Sequence, residues 1–442
     1  MPEQYRYTLP RKAGEQRLLG ELTGAACAVE CAEIIERHAG LVVMIAPDMQ
    51  NALRLRDEIQ QFTDQPVTTL PDWETLPYDS FSPHQEIISA RLATLYQLPL
   101  MERGVLILPV NTLMQKVCPH TFLHGHALML KKGQHLSRDK LREQLEQAGY
   151  RSVDQVMEHG EFATRGALLD LFPMGSEEPF RIDFFDNDID SLRLFDVDTQ
   201  RTLNEVDHIS LLPAHEFPTD KDAIELFRSQ WREQFEVRRD PEHVYQQVSK
   251  NTWPAGIEYW QPLFFSQPLP SLFSYFPEGT LLVNSGDLQH SAERFWQDIQ
   301  QRYDSRSVDP MRPLLAPPVL WLQVDTLLSE IKQWPRVQLR TESLPSKAAN
   351  VNLATRRCRC WPSNISKNPR SMRCAVSWSS SAAALSSRSR VRADGKRCRN
   401  CCHASNWRRN PLPVLSRRKI PAAICRLERA NMDSWIPCDT GR

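Results

Sequence analysis

A chain of 442 residues, 41% hydrophobic and with no net formal charge, is long enough for two or three domains with their own cores. The neutrality hides a division: residues 355–442 carry 20 Lys and Arg against 4 Asp and Glu, a net of +16, which leaves −16 on residues 1–354. So acidic a body argues against a protein whose chief task is to grip phosphates.

The first residues lack the apolar core of a signal peptide, and no run approaches the ~18 apolar residues of a membrane span. Only Cys27, Cys31 and Cys118 precede residue 354, a usage that suits a reducing compartment. A cytoplasmic protein with no membrane partner is expected.

The opening stretch reads as α/β. Residues 25–38 are apolar at helical spacing, 41–46 form a buried-strand run, and 49–62 are helical again. Residues 104–110 are a second buried strand, with Asn111 and Thr112 placed to cap a helix from near Leu113. Continuous apolar strands alternating with amphipathic helices predict a parallel sheet covered on both faces. The pattern then changes. A helix over 138–148, with Ser137 as N-cap and Gly149 beyond its end, precedes short strands at 168–172, 180–185 and 189–195. The turn Asp186-Asn187-Asp188 joins the last two as a hairpin. Helical spacing resumes over 223–237, a buried strand over 281–283 signals a return to the first sheet, and 319–324 and 327–334 read as a strand and a helix. The expected architecture is an α/β lobe in two parts, 1–126 and 213–335, with a smaller α+β domain inserted at 127–212. A linker over 336–354 and a tail over 355–442 follow.

Three motifs bear on chemistry. Before the first helix, residues 18–28 have the frame of a phosphate loop, which needs glycines to turn backbone amides inward, Lys for the phosphates and Ser or Thr for magnesium. With Gly24 in the second turn, Cys27 stands where Lys belongs and Ala28 where Thr belongs. A plain turn before a buried helix is the simpler reading, and the loss of the chemistry is the informative part. Next, Asn284-Ser285 follows the strand at 281–283, where a motor ATPase would carry Asp-Glu to hold magnesium. Third, in 180–185 the two-residue period puts Phe180, Ile182 and Phe184 on one face and Arg181, Asp183 and Phe185 on the other. Phe185 among charged residues reads either as an interface anchor or as a ring packed on a neighbour. His120, His124 and His126 have metal-like spacing, but no Cys or carboxylate nearby in sequence completes a set, so they are expected in a polar loop.

Trp73-Glu74-Thr75-Leu76-Pro77-Tyr78-Asp79 with Ser82-Pro83-His84, together with 159–173 and 256–260, resembles the bacterial transcription-repair coupling factor family over about 1–353. This part of that family is similar to excinuclease B. The resemblance implies a degenerate RecA-like (P-loop NTPase-like) lobe and an inserted domain that binds excinuclease A through positions matching Arg165, Arg181 and Phe185. It also implies a setting, transcription-coupled nucleotide excision repair at stalled RNA polymerase. The ATP- and magnesium-driven DNA translocase and the polymerase-binding domains of the full-length family have no counterpart here. Nor does the Tyr-rich hairpin of excinuclease B, since 73–96 offers only Tyr78, Phe81 and Tyr96. No catalytic residue, cofactor or metal ligand is expected.

From about residue 354 the resemblance stops. The Arg, Cys, Ser and Trp content resembles out-of-frame translation of a GC-rich gene. Back-translated one frame over, 369–375 can spell Pro-Leu-Asp-Ala-Leu-Arg, and 395–409 can spell an amphipathic helix; both resemble the family's continuation. The rival readings are a basic nucleic-acid-binding arm and a zinc site at Cys398 and Cys401 with His403.

Overall fold

The computed structural model describes residues 6–353 and, beyond them, only the antiparallel pair Arg359–Cys360 with Cys374–Ala375. The expectations for the tail (a disordered or out-of-frame stretch, a basic arm, a zinc site) lie outside the described residues.

The chain opens as β1 (Gln16–Gly20), α1 (Ala26–Arg37), β2 (Leu41–Ala46), α2 (Met49–Ile59), β3 (Val67–Thr69), α3 (Gln85–Gln97), β4 (Gly104–Pro109) and α4 (Val110–Met114). α5 (His120–His126), β5 (Leu128–Lys131), α6 (Arg138–Gln147) and β6 (Arg151–Ser152) follow. Then come β7 (Glu161–Arg165), β8 (Leu168–Phe172), β9 (Phe180–Phe185), β10 (Asp188–Phe195), β11 (Thr202–Val206) and β12 (His208–Leu211). The chain continues through α7 (Lys221–Gln234), α8 (Val244–Ser249), a 3₁₀ helix at Ile257–Phe264, β13 (Leu281–Ser285), α9 (Leu288–Arg306), α10 (Pro317–Leu320), α11 (Val324–Gln333), β14 (Arg336–Leu339) and β15 (Asn350–Asn352).

Seven strands form a parallel sheet in the order β15-β1-β14-β13-β2-β4-β3. Every residue of β2 and β4 is buried, because helices cover both faces. Alternation along β2 divides the core: Val42, Met44 and Ala46 pack with α1 and α2, while Leu41, Val43 and Ile45 join the larger cluster on the other side. The stretch expected as a linker, 336–354, holds two strands of this sheet, with β14 between β1 and β13.

The second sheet, in the order β11-β10-β9-β8-β7-β6, is antiparallel except for the β6–β7 pair. Phe162, Leu169, Leu171, Ile182 and Leu192 on its inner face belong to the same core cluster as Val43 and Leu106 of the parallel sheet, so the two sheets share one apolar interior. A buried ion pair fastens the seam. Arg91 of α3 directs Nε to Glu216 Oε1 at 2.5 Å and Nη1 to the Pro71 carbonyl at 2.7 Å, with both ion-pair side chains at most 1% exposed.

Three local expectations are corrected. α4 starts at Val110 rather than near Leu113, because extended Pro109 is its N-cap and the Asn111 amide instead bonds Asp72 Oδ2 at 2.7 Å. Residues 317–320 form a helical turn rather than the start of a strand, since two prolines set helical φ at its first positions; only Trp321 makes a strand-like bridge, to Gln115. The three histidines lie on α5, where His124 packs on Tyr96 and His120 on Tyr275. Among the described residues no group of three His, Cys, Asp or Glu is placed to hold a metal ion, and no helix is long and apolar enough to cross a membrane.

Candidate functional site: the outer face of the antiparallel sheet

The local sequence makes β9 two-faced. Phe180, Ile182 and Phe184 are buried, Arg181 and Asp183 are half-buried, and Phe185 is 75% exposed. A two-residue loop, Asp186-Asn187, closes the hairpin to β10, with Phe185 paired to Asp188. Asp186 takes φ +57°, the left-handed region that short polar side chains tolerate. Residues 133–136 brace this tip: the Leu136 amide donates to the Asn187 carbonyl at 2.8 Å, and His135 meets Asp188 at 2.7 Å. The Phe185 ring is thus held out by a supported hairpin rather than by a loose loop.

Arg165 ends β7 at the same end of the sheet. It pairs with Leu168 of β8, and Leu168 pairs with Asp183 of β9, so Arg165 and Asp183 share one row of the outer face. Its side chain is exposed, with Nη2 donating to the Asp154 carbonyl at 2.7 Å. Gly166 makes the turn that follows, at φ +61°, where a side chain would be strained.

Arg181 is placed differently. It pairs with Asp170 across β8 and β9, with Nε–Oδ1 at 2.7 Å and Nη2–Oδ2 at 2.9 Å. Nη1 reaches the Thr202 hydroxyl and the Gln200 carbonyl, and the guanidinium lies 5.1 Å from the centre of the Phe195 ring. The bond to Asp170 raises its pKa further above the ordinary arginine value. All three nitrogens of the fork are engaged within the chain, so Arg181 orders this face more than it offers donors to a ligand. Asp170 is the residue that sequence reasoning missed. The signal was a lone carboxylate inside an apolar strand, which requires a cation opposite.

The residues expected to form a degenerate nucleotide loop lie elsewhere, between β1 and α1. Gly24 is left-handed at φ +58°. Ala28 is fully buried with the residues that pack α1 against α2, and Cys27 is hydrogen-bonded with Cys31 one turn on, a contact that lowers the Cys27 pKa and raises that of Cys31. The loop's backbone is occupied by the chain itself. The Glu21 amide donates to the Glu342 carbonyl at 3.0 Å and the Leu22 amide to the Arg340 carbonyl at 3.1 Å. At Gly20 a Cβ would come within 2.8 Å of Leu344, so residues 340–353 lie directly on the loop. Asn284, expected from the sequence to stand where a motor ATPase holds magnesium, is buried, and Asp287 caps α9 by accepting from the His290 amide.

Comparison with known proteins separates these two places. Residues 128–217 match the UvrB interaction domain family. The matched region takes in β5 to β12 and therefore Arg165, Arg181 and Phe185. Over 353 residues, 80% of the chain, the sequence is 78% identical to the transcription-repair-coupling factor of Escherichia coli, covering 31% of that protein. Identity to the factor of the same name from Haemophilus influenzae is 54% over 346 residues, 78% of this chain and 30% of the relative. To that from Myxococcus xanthus it is 28% over 336 residues, 70% and 27%. The chain spans just under a third of the length of these relatives, and the resemblance read from its motifs holds over this part.

Proposed function

We propose that this chain recruits excinuclease A in transcription-coupled nucleotide excision repair. The exposed end of the β7–β10 face is the contact surface. The observation that carries the reading is Phe185, a ring three-quarters exposed on a braced hairpin inside a UvrB interaction domain. A rigid exposed aromatic loses little conformational freedom on binding and buries a large area, which makes it an efficient anchor. Arg165, at the same end of the sheet two strands away, supplies a charge-assisted donor, and Arg181, through Asp170, holds the strands that present both. The name of the relatives, transcription-repair-coupling factor, supports a setting in which repair is coupled to transcription, here read as RNA polymerase stalled on damaged DNA.

The seven-stranded lobe is read as a degenerate RecA-like mount without ATPase activity. Its would-be phosphate loop has no Lys or Thr at Cys27 and Ala28, and the amides of Glu21 and Leu22 are already bonded to residues 340–342. A translocase reading requires a nucleotide in this loop, so ATP turnover abolished by a change at Gly24 would reverse the assignment.

The test is binding of the full chain to purified excinuclease A, beside an Arg165→Ala/Phe185→Ala double variant. Binding by the parent and a loss of about 2 kcal/mol or more in the variant, with unchanged unfolding, is expected. A folded parent that does not bind would sink the proposal.

A further inference from the structure

The outer face of the antiparallel sheet also holds an acid without a counter-charge. On β9 this face carries Arg181, Asp183 and Phe185 in succession, and Asp183 is half-buried. Its neighbours across the sheet are Leu168 of β8 and Ser191 of β10, neither of them a cation. The arginines of the face are engaged elsewhere. Arg181 places Nε and Nη2 on Asp170 and Nη1 on Thr202 and Gln200. Arg193 pairs with Glu205 at 3.4 Å. Arg165, in the row of Asp183 but two strands away, turns Nη2 to the Asp154 carbonyl. Among the described residues the Asp183 carboxylate therefore has neither an ion pair nor a hydrogen bond within the chain.

A carboxylate in water needs no partner, but the place of this one changes that. Residues two apart on one face of a strand lie about 7 Å from each other. A surface that closes over the Phe185 ring, now 75% exposed, therefore closes over Asp183 as well. Taking a carboxylate out of water without a counter-charge costs more than the burial of one ring contributes, so the anchor works only if the partner brings a donor to Asp183.

The surrounding charge selects the donor. The hairpin tip adds Asp186 and Asp190, both exposed, and Asp188, which meets His135. The field beside Phe185 is negative, and it favours a cation over a neutral hydroxyl or amide.

We propose that Asp183 determines the specificity of the recruiting surface, and that the region of excinuclease A that takes Phe185 presents a Lys or Arg side chain to it. The proposal rests on the recruitment of excinuclease A through Phe185. It gives the partner's surface a pattern: an apolar pocket for the ring, a cation against Asp183 and an acid for Arg165. The two charges stand about 10 Å apart, being separated by two strand spacings of about 4.8 Å. A surface with those charges exchanged would meet like charge at both places.

The test is binding of the full chain to purified excinuclease A over a range of salt, for the parent, Asp183→Asn, Asp183→Glu, Asp183→Lys and Phe185→Ala. Asp183→Asn keeps the shape and one acceptor oxygen and breaks no side-chain bond within the chain, so its unfolding should match that of the parent. It should bind about tenfold more weakly at low salt, and the gap should narrow as salt rises. Asp183→Glu should recover most of the affinity, and Asp183→Lys should lose about a hundredfold. Changing the Lys and Arg residues of excinuclease A to Glu one at a time should yield a variant that restores binding to Asp183→Lys but not to Phe185→Ala. If Phe185→Ala weakens binding while Asp183→Asn binds as the parent does at every salt concentration, recruitment through the ring stands and the role of Asp183 is overturned. A loss in Asp183→Asn that Asp183→Glu shares, with no excinuclease A variant restoring Asp183→Lys, overturns it too. A folded parent that does not bind removes the recruiting reading itself, and the role of Asp183 with it.

Discussion

The two sheets share one core but treat their surfaces in opposite ways. β2 and β4 of the parallel sheet bury every side chain, so only the ends of such strands can present chemistry. At the end of β1 the amides of Glu21 and Leu22 are bonded to the chain's own carbonyls. The antiparallel sheet is covered by core on one face and leaves part of the other free, so it displays Arg165 and Asp183 in one row with Phe185 two residues beyond. The parallel lobe can support the displayed face because the residues behind that face, Phe162, Ile182 and Leu192 among them, pack in the same core as Val43 and Leu106.

The largest test is at the seam. Arg91 and Glu216 join α3 to the end of the region that matches the UvrB interaction domain and are essentially unexposed. Removing one partner leaves an uncompensated buried charge, so Arg91→Leu should lower unfolding free energy by roughly 3–5 kcal/mol. The double change with Glu216→Leu should recover much of it. If denaturant unfolding of Arg91→Leu matches the parent, the two sheets are not held together as described.

A buried acid on the lobe side gives the next effect. Burial, first, and the Glu216 charge raise the pKa of Glu258 from 4.5 to about 7, against the Ser82 bond and the Arg312 charge, which lower it. The folded chain therefore keeps a proton that the unfolded chain sheds above about pH 4.5. Stability from this group is complete below that pH, falls as pH rises toward 7, and is level beyond. The span corresponds to at most about 3 kcal/mol. Glu258→Gln retains an acceptor for Ser82 and should flatten the profile; an unchanged slope in urea titrations between pH 5 and 7 would contradict it.

The displayed face separates anchor from support. Phe185→Ala should weaken binding to excinuclease A by about 2 kcal/mol, roughly 30-fold, while unfolding changes by less than about 0.5 kcal/mol. Arg181→Ala leaves Asp170, 5% exposed, without its cation, and should cost about 1–3 kcal/mol of stability as well as binding. Equal stability losses in the two variants would erase the distinction.

How much of this was readable follows from where each signal sits in the chain. The buried strands were legible because six consecutive apolar residues admit few alternatives, and β2 ends where its run ends. The faces of β9 were legible because a period of two needs no tertiary information. The engagement of Arg181 was not: Asp170 lies 11 residues away, and only strand pairing brings it opposite. Nor was the closure of the β1–α1 loop, whose partners at 340–342 are more than 300 residues distant in a stretch that reads as a linker. Residues 317–320 misled because their apolar run follows two prolines, which favour a helical turn in one setting and an extended chain in another.

Arg165 should give the smallest effect and the clearest signature. Its guanidinium is exposed and holds one carbonyl, so Arg165→Ala should leave unfolding unchanged and weaken binding by about 1 kcal/mol. The loss should depend on salt, because an exposed charge is screened at separations beyond about 8 Å at physiological ionic strength. Raising salt should therefore weaken the parent more than the variant until their affinities converge. Arg165→Lys keeps the charge but not the planar fork, and should fall between them at low salt. If the alanine and lysine variants bind alike at every salt concentration, the fork matters and the charge does not. If Arg165→Ala binds as the parent does throughout, the antiparallel face recruits through Phe185 without help from this cation.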